Sequence, residues 1–144
     1  MKRLFFDANI VADVILVRQP WSESAFEIMK IASFGIFSIC CSSLTLGTIS
    51  YLLSKEKFSP EIIKKKLIVF KNNCRVTNVG DEIVDLALHS AFDDFEDAMQ
   101  YYSAMKEGCD VIITRNKKDF VESKIPIMEP QEFLDEFYKE NETE

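Results

Sequence analysis

Five short β-prone runs, Lys2–Phe6, Phe37–Cys41, Arg75–Val79, Val111–Thr114 and Ile125–Met128, alternate along this chain with stretches of helical period. That alternation leaves few folds open. Strands separated by helices pair in parallel, and a parallel sheet is covered by helices on both faces. Val111-Ile112-Ile113 has no polar position at all, as expected of a strand buried on two sides. The helical stretches are Ile10–Val17, Ser22–Ser33, Leu44–Leu53, Pro60–Phe70, Asp81–His89, Phe95–Glu107 and Pro130–Tyr138. Gln19-Pro20 breaks the first of them. Ser22 stands as N-cap of the second, with apolar residues at 25, 26, 28, 29, 31 and 32 behind it. Pro60 occupies a first turn, where its missing N–H costs nothing, and Gly108 is placed to close Phe95–Glu107. The reading is a single α/β domain over residues 1–138, followed by an acidic tail, 139–144, expected to be disordered.

Composition narrows the class. With 144 residues, 47% of them hydrophobic and 12 of them Phe, the chain can bury a continuous core. No run approaches the roughly 18 uninterrupted apolar residues of a membrane span. Asp7 follows the N-terminus too closely for a signal-peptide apolar region, so the expected setting is the cytoplasm. Cys40, Cys41, Cys74 and Cys109 show no C-x-x-C spacing and there is one histidine, which argues against zinc. They read as reduced thiols in or near the core. The net charge of −7 weighs against tight nonspecific binding of nucleic acid, which depends on phosphate neutralisation. The dense basic stretch, Lys55, Lys57 and Lys64-Lys65-Lys66, reads as a solvated helix face.

In an open parallel sheet, ligands sit beyond the carboxyl ends of the strands. The first strand ends at Asp7, and the fourth ends at Thr114-Arg115-Asn116 with Asp119 a turn on. The helix before the fourth strand opens Asp93-Asp94-Phe95-Glu96-Asp97, with Asp94 and Asp97 on one face. Aspartates converging without a basic partner repel one another, and a hard cation relieves that repulsion. Mg²⁺ held by one or two carboxylates and waters is a common device for cutting phosphodiesters. Helix capping is the competing account. Asp7, Asp94 and Asn116 fall where N-caps belong, with Asp97 and Asp119 at the third helical positions. Capping explains each pair alone but gives no reason for three acid-bearing helix starts to share one edge.

Other chemistries lack their residues. A D-x-D phosphatase would need Asp where Asn9 stands, and a receiver domain would need paired acids after the first strand. No glycine-rich nucleotide loop is present. His89 has no nucleophile to serve and reads as a helix-face residue, while Trp21 reads as a packing residue at a helix entry rather than a base-stacking platform.

Four blocks in order carry a family resemblance: Phe6-Asp7-Ala8-Asn9-Ile10 with Asp13, Arg18-Gln19-Pro20-Trp21, Asp94-Phe95-Glu96-Asp97-Ala98, and Ile113-Thr114-Arg115-Asn116-Lys117-Lys118-Asp119-Phe120. Over nearly its whole length the chain resembles the PIN-domain family, and is similar to the small bacterial VapC-type ribonuclease toxins. The resemblance implies a three-layer α/β sandwich whose mostly parallel sheet has about five strands. It also implies a Mg²⁺- or Mn²⁺-dependent endoribonuclease acting on RNA, with an antitoxin protein as partner and a homodimer as assembly. By resemblance Asp7 and Asp97 match the metal-binding acids. Asn116 stands where many members place another Asp, with Asp94, Thr114 and Asp119 close by. Thr48 matches an acid that many members carry in the helix after the second strand. Two neutral residues in place of acids should lower metal affinity. The rival reading is therefore a catalytically degenerate PIN module that binds RNA or a protein without cutting.

Overall fold

A computed structural model describes residues 1–142 and shows a five-stranded, wholly parallel sheet in the order β3-β2-β1-β4-β5. The strands are β1 (Lys2–Phe6), β2 (Phe37–Ser42), β3 (Arg75–Thr77), β4 (Val111–Ile113) and β5 (Ile127–Met128). Among the described residues seven α-helices accompany them: α1 (Ala8–Ile15), α2 (Ser22–Ala32), α3 (Ser43–Lys55), α4 (Pro60–Lys71), α5 (Asp81–Leu88), α6 (Phe95–Lys106) and α7 (Pro130–Glu142). Register along β1 aligns Leu4 with Ile39 on one side and with Val111 on the other.

The two-residue period of the strands divides the core between two faces. Leu4, Phe6, Ile39, Cys41, Val111 and Ile113 point into a layer completed by α1, α2, α3, α4 and α7. Phe5, Cys40 and Ile112 point the other way, against Tyr101 and Ala104 of α6 and Phe120. Helices therefore cover both faces, as the apolar runs require. No helix among the described residues is long and apolar enough to cross a membrane.

Several boundaries differ from expectation. Helix α1 begins at Ala8, directly under the Asp7 cap, and the chain leaves it through Val17 in the left-handed region (φ 51°). Ser22 is not an N-cap: Trp21 holds that place without a side-chain cap bond, and the Ser22 hydroxyl is buried without a partner. The strand read as Arg75–Val79 stops at Thr77, and Ile125–Met128 shrinks to its last two residues. Helix α7 continues to Glu142, four residues past the expected end of the helix at Tyr138. Phe133 and Phe137 both pack edge-on against Phe37 (centroids 5.3 and 5.7 Å), and in the added turn the Asn141 amide donates to the Phe137 carbonyl at 2.7 Å. Residues 143–144 of the expected tail lie outside the described residues. Gly108 follows α6 with φ +75°, the left-handed exit that favours glycine.

The strand order reverses between β1 and β4. Successive strands step one way from β1 to β3, and β4 then returns to the opposite side of β1. Such a switch point leaves a crevice at the carboxyl ends of the two strands.

Candidate active site

Asp7 occupies that crevice. It ends β1 and caps α1, its carboxylate almost fully buried. Oδ1 accepts the Ala8 N–H at 2.8 Å, while Oδ2 accepts the Asn9 side-chain amide at 2.9 Å and the Thr114 hydroxyl at 2.8 Å. Burial raises the Asp7 pKa above 3.8, the Thr114, Ala8 and Asn9 hydrogen bonds pull it back, and the Asp119 charge pushes it up further. Thr114 is buried at the end of β4. Its hydroxyl donates to Asp7 and accepts the Asn116 N–H at 3.0 Å and the Asn9 amide at 3.3 Å. A hydroxyl has one donor and two lone pairs, so this one is fully used. Thr114 orients Asp7.

Asp97 stands in the first turn of α6, half-buried, with its N–H capped by Asp94 Oδ1 at 2.9 Å. The capping account thus holds for Asp94. It does not hold for Asn116, whose side chain makes no cap bond, and Asp119 reaches Asn116 only through its N–H and the Asn116 carbonyl. The Asp97 pKa is pushed up to about 7, first by burial and then by the charges of Asp94, Asp7, Asp119 and Glu96. Carboxylates from three separate segments therefore share one electrostatic field. Buried polar contacts seat α6 over the sheet: Gln100 accepts from the Ser42 hydroxyl at 2.7 Å and donates to the Thr45 hydroxyl at 2.8 Å. One turn on, Ser103 donates to the Asn78 carbonyl at 2.8 Å. Gln100 lies one helical turn from Asp97, so these contacts fix where the acid sits.

The structure also brings in residues without a role in the sequence reading. Asp13 is fully buried on α1, and Arg115 grips it with Nε at 2.7 Å and Nη2 at 3.0 Å. Arg18 Nη1 adds a longer contact of 3.9 Å to the same carboxylate. The Arg115 guanidinium lies 4.5 Å from the ring centroid of Trp21, which is half-exposed. The Arg115 N–H donates to Asn9 Oδ1 at 3.3 Å, so this ion pair and the Asp7 crevice are one structure. The signal was available, because Asp13 is the one charged residue in α1 and follows Asn9 by four positions. Thr48 does not join the acids. Its hydroxyl donates to the Leu44 carbonyl at 3.2 Å, and it lines a cavity with Ser43, Leu44, Gly47, Tyr51 and Val79, none of them acidic.

The donors at the crevice are oxygens, which suits a hard cation. Arg115 is committed to Asp13, so the nearby acids lack a free basic partner in that residue. Among the described residues, no three His, Cys, Asp or Glu side chains are grouped so as to hold a metal by themselves. The set fits Mg²⁺ or Mn²⁺ bound by one or two carboxylates with waters completing the shell.

A five-stranded parallel sheet with acids over its switch point is the frame of a PIN domain, and residues 3–118 match the PIN-domain family model. The chain belongs to that family. Asp119 falls one residue beyond the matched stretch. The chain is 27% identical over 139 residues to Ribonuclease VapC1 of Aquifex aeolicus, covering 93% of this chain and 94% of that one. Its fold is similar to VapBC2 from Rickettsia felis bound to a promoter DNA fragment (TM-score 0.68, 18% identity, 88% of this chain and 97% of that). It is similar also to DNA-bound VapBC from Salmonella typhimurium (TM-score 0.66, 18% identity, 90% and 99%).

Proposed function

We propose that the chain is a metal-dependent endoribonuclease and the toxin of a toxin–antitoxin pair, working in the cytoplasm. One observation supports the reading: Asp7 ends β1 at the β1–β4 crevice, and its charge is among those that raise the pKa of Asp97 in the first turn of α6. The family and the ribonuclease relative support the choice of RNA. Asp7 and Asp97 would hold Mg²⁺ or Mn²⁺, with Asp94, Asn116 and Asp119 reaching the ion through water or orienting its ligands. The ion would supply water activation and leaving-group stabilisation. The protein's own part is positional. Thr114 and Asn9 hold the Asp7 carboxylate in one orientation, and the Gln100 contacts anchor the start of α6, which carries Asp97.

The test is cleavage of a mixed RNA pool with Mn²⁺ and with EDTA. Cleavage in Mn²⁺ alone is the expected result. Mn²⁺ binding by calorimetry with intact RNA would instead favour the degenerate module, which the neutral Asn116 recommends.

Asp97 predicts a pH dependence in the absence of divalent ions. Its folded-state pKa of about 7 lies above the ordinary 3.8, so the folded chain holds that proton more tightly than the unfolded chain. Its contribution to stability is complete below 3.8 and is lost as pH rises through about 7. Melting in EDTA should therefore occur at lower temperature at pH 8 than at pH 5.5, and Asp97→Asn should flatten that slope. A parallel slope in the variant would remove Asp97 as the cause.

The assembly is expected to be a homodimer or a complex with an antitoxin. Trp21 and Phe26 are each more than two-fifths exposed, and Phe26 opens onto an apolar groove of ≈ 610 Å³ with Val14, Met29, Val69 and Phe70. Light scattering at high micromolar concentration checks this, and a lone monomer with no co-purifying protein would count against it.

A further inference from the structure

Four cysteines sit in two close sets on opposite faces of the sheet. Cys40 points toward Cys109 in the layer with Phe5 and Ile112, and both are buried. Cys41 points into the other layer, where its sulfur lies 3.8 Å from that of Cys74. The second set differs in access. Cys74 is only partly buried and lines a cavity of ≈ 450 Å³ together with Ser38, Asn72 and Asn73.

We propose that Cys41 and Cys74 are a peroxide-reactive thiol pair that closes into a reversible disulfide between β2 and the turn entering β3. The geometry is close to what the bond needs. A disulfide has its sulfurs about 2.05 Å apart, so the contact must shorten by less than about 2 Å. Cys74 precedes β3 and lies in the turn after α4, where its N–H reaches the Lys71 carbonyl at 3.3 Å, so the turn can supply the movement. Cys74 is the partly exposed member of the pair. The two sulfurs share a contact in which either can donate; that contact and the Lys71 ammonium lower the Cys74 pKa, while the contact and burial raise that of Cys41. A partly exposed Cys74 with the buried Cys41 sulfur 3.8 Å away is the arrangement of an attacking and a resolving cysteine.

The chemistry balances with a hydroperoxide as oxidant. The Cys74 thiolate attacks a peroxide oxygen and the O–O bond breaks. The departing hydroxide takes a proton and leaves as water, with Cys74 as sulfenic acid. The Cys41 sulfur then displaces the sulfenic hydroxyl, its proton leaves with that hydroxyl as a second water, and the S–S bond forms. Two thiols and one hydrogen peroxide give one disulfide and two waters, and a dithiol reductant reverses the result. The bond would tie off the segment that carries α3 and α4.

The experiment treats the reduced, full-length chain with hydrogen peroxide, blocks remaining thiols with a maleimide, and maps the peptides by mass. The expected result is a chain lighter by two hydrogens, one cross-linked peptide pair joining Cys41 to Cys74, and two of the four thiols still blocked. Dithiothreitol should restore all four thiols. The melting temperature of the oxidised form should rise by roughly 5 °C or more, because the cross-link restricts the unfolded chain. Cys41→Ala should leave Cys74 as a sulfenic acid that dimedone traps, and Cys74→Ala should leave Cys41 unreactive. Cys109→Ala should keep the Cys41–Cys74 cross-link. A Cys40–Cys109 bond forming first, Cys74 passing to sulfinic acid with Cys41 still free, or four unreacted thiols would each overturn the proposal.

Discussion

Asp13→Ala should destabilise the fold by about 3 kcal/mol, at the lower end for a broken buried ion pair. The carboxylate has no exposed surface, while the Arg115 side chain keeps 28% of its own. Removing the acid leaves Arg115 partly desolvated with its two side-chain bonds gone, and only its stacking on Trp21 remains. Partial exposure lets the guanidinium turn toward water, which is why the larger costs of a fully enclosed charge are not expected. For a domain of this size the melting temperature should fall by roughly 6–12 °C. Urea denaturation checks the free energy. The double substitution Asp13→Leu with Arg115→Met should recover much of the loss, because it removes both charges and fills the space. A cost below about 1 kcal/mol for Asp13→Ala would show that the pair does not hold the β4 exit loop.

Asp7→Asn and Asp97→Asn should each lower RNA cleavage by at least about 100-fold, which corresponds to losing several kcal/mol of transition-state stabilisation. The two should part company in stability. At Asp7 both oxygens already accept hydrogen bonds from Ala8, Asn9 and Thr114, and an amide presents an N–H to one of those donors. Asp7→Asn should therefore melt below the parent in EDTA. At Asp97 the substitution removes a charge that Asp94, Asp7 and Asp119 oppose, so that variant should melt above the parent in EDTA. Added Mn²⁺ should stabilise the parent by mass action and do little for Asp97→Asn. Cleavage within tenfold of the parent in both variants would place the chemistry elsewhere. A lowered melting temperature for Asp97→Asn, with no effect of Mn²⁺ on the parent, would reduce these aspartates to helix caps.

Much of the frame was legible in the chain, and for local reasons. Val111-Ile112-Ile113 and Leu4-Phe5-Phe6 declare strands covered on two sides, since no polar position offers a solvent face. Gly108 and Pro60 mark helix ends through backbone chemistry that neighbours cannot change. The Asp7, Asp94 and Asp97 motifs lie at such ends, so their place at the sheet edge followed from the alternation of elements.

The failures share a cause as well. Helix α7 runs past its pattern to Glu142, and what seats it is Phe133 and Phe137 against Phe37, a contact across nearly a hundred residues. Ser22 looks like a cap in sequence, yet the chain enters α2 already helical at Trp21, and a cap needs an extended residue. Thr114 and Arg115 took roles set by Asp7, Asn9 and Asp13 more than a hundred positions away. Periodicity and end signals act over a few residues, so the sequence alone determined the elements, their parallel pairing and the acids at their ends. Hydrogen bonds and ion pairs act over a few ångströms between chain-distant atoms, so only the tertiary structure decided which acid is held, by what, and which basic residue is already spent.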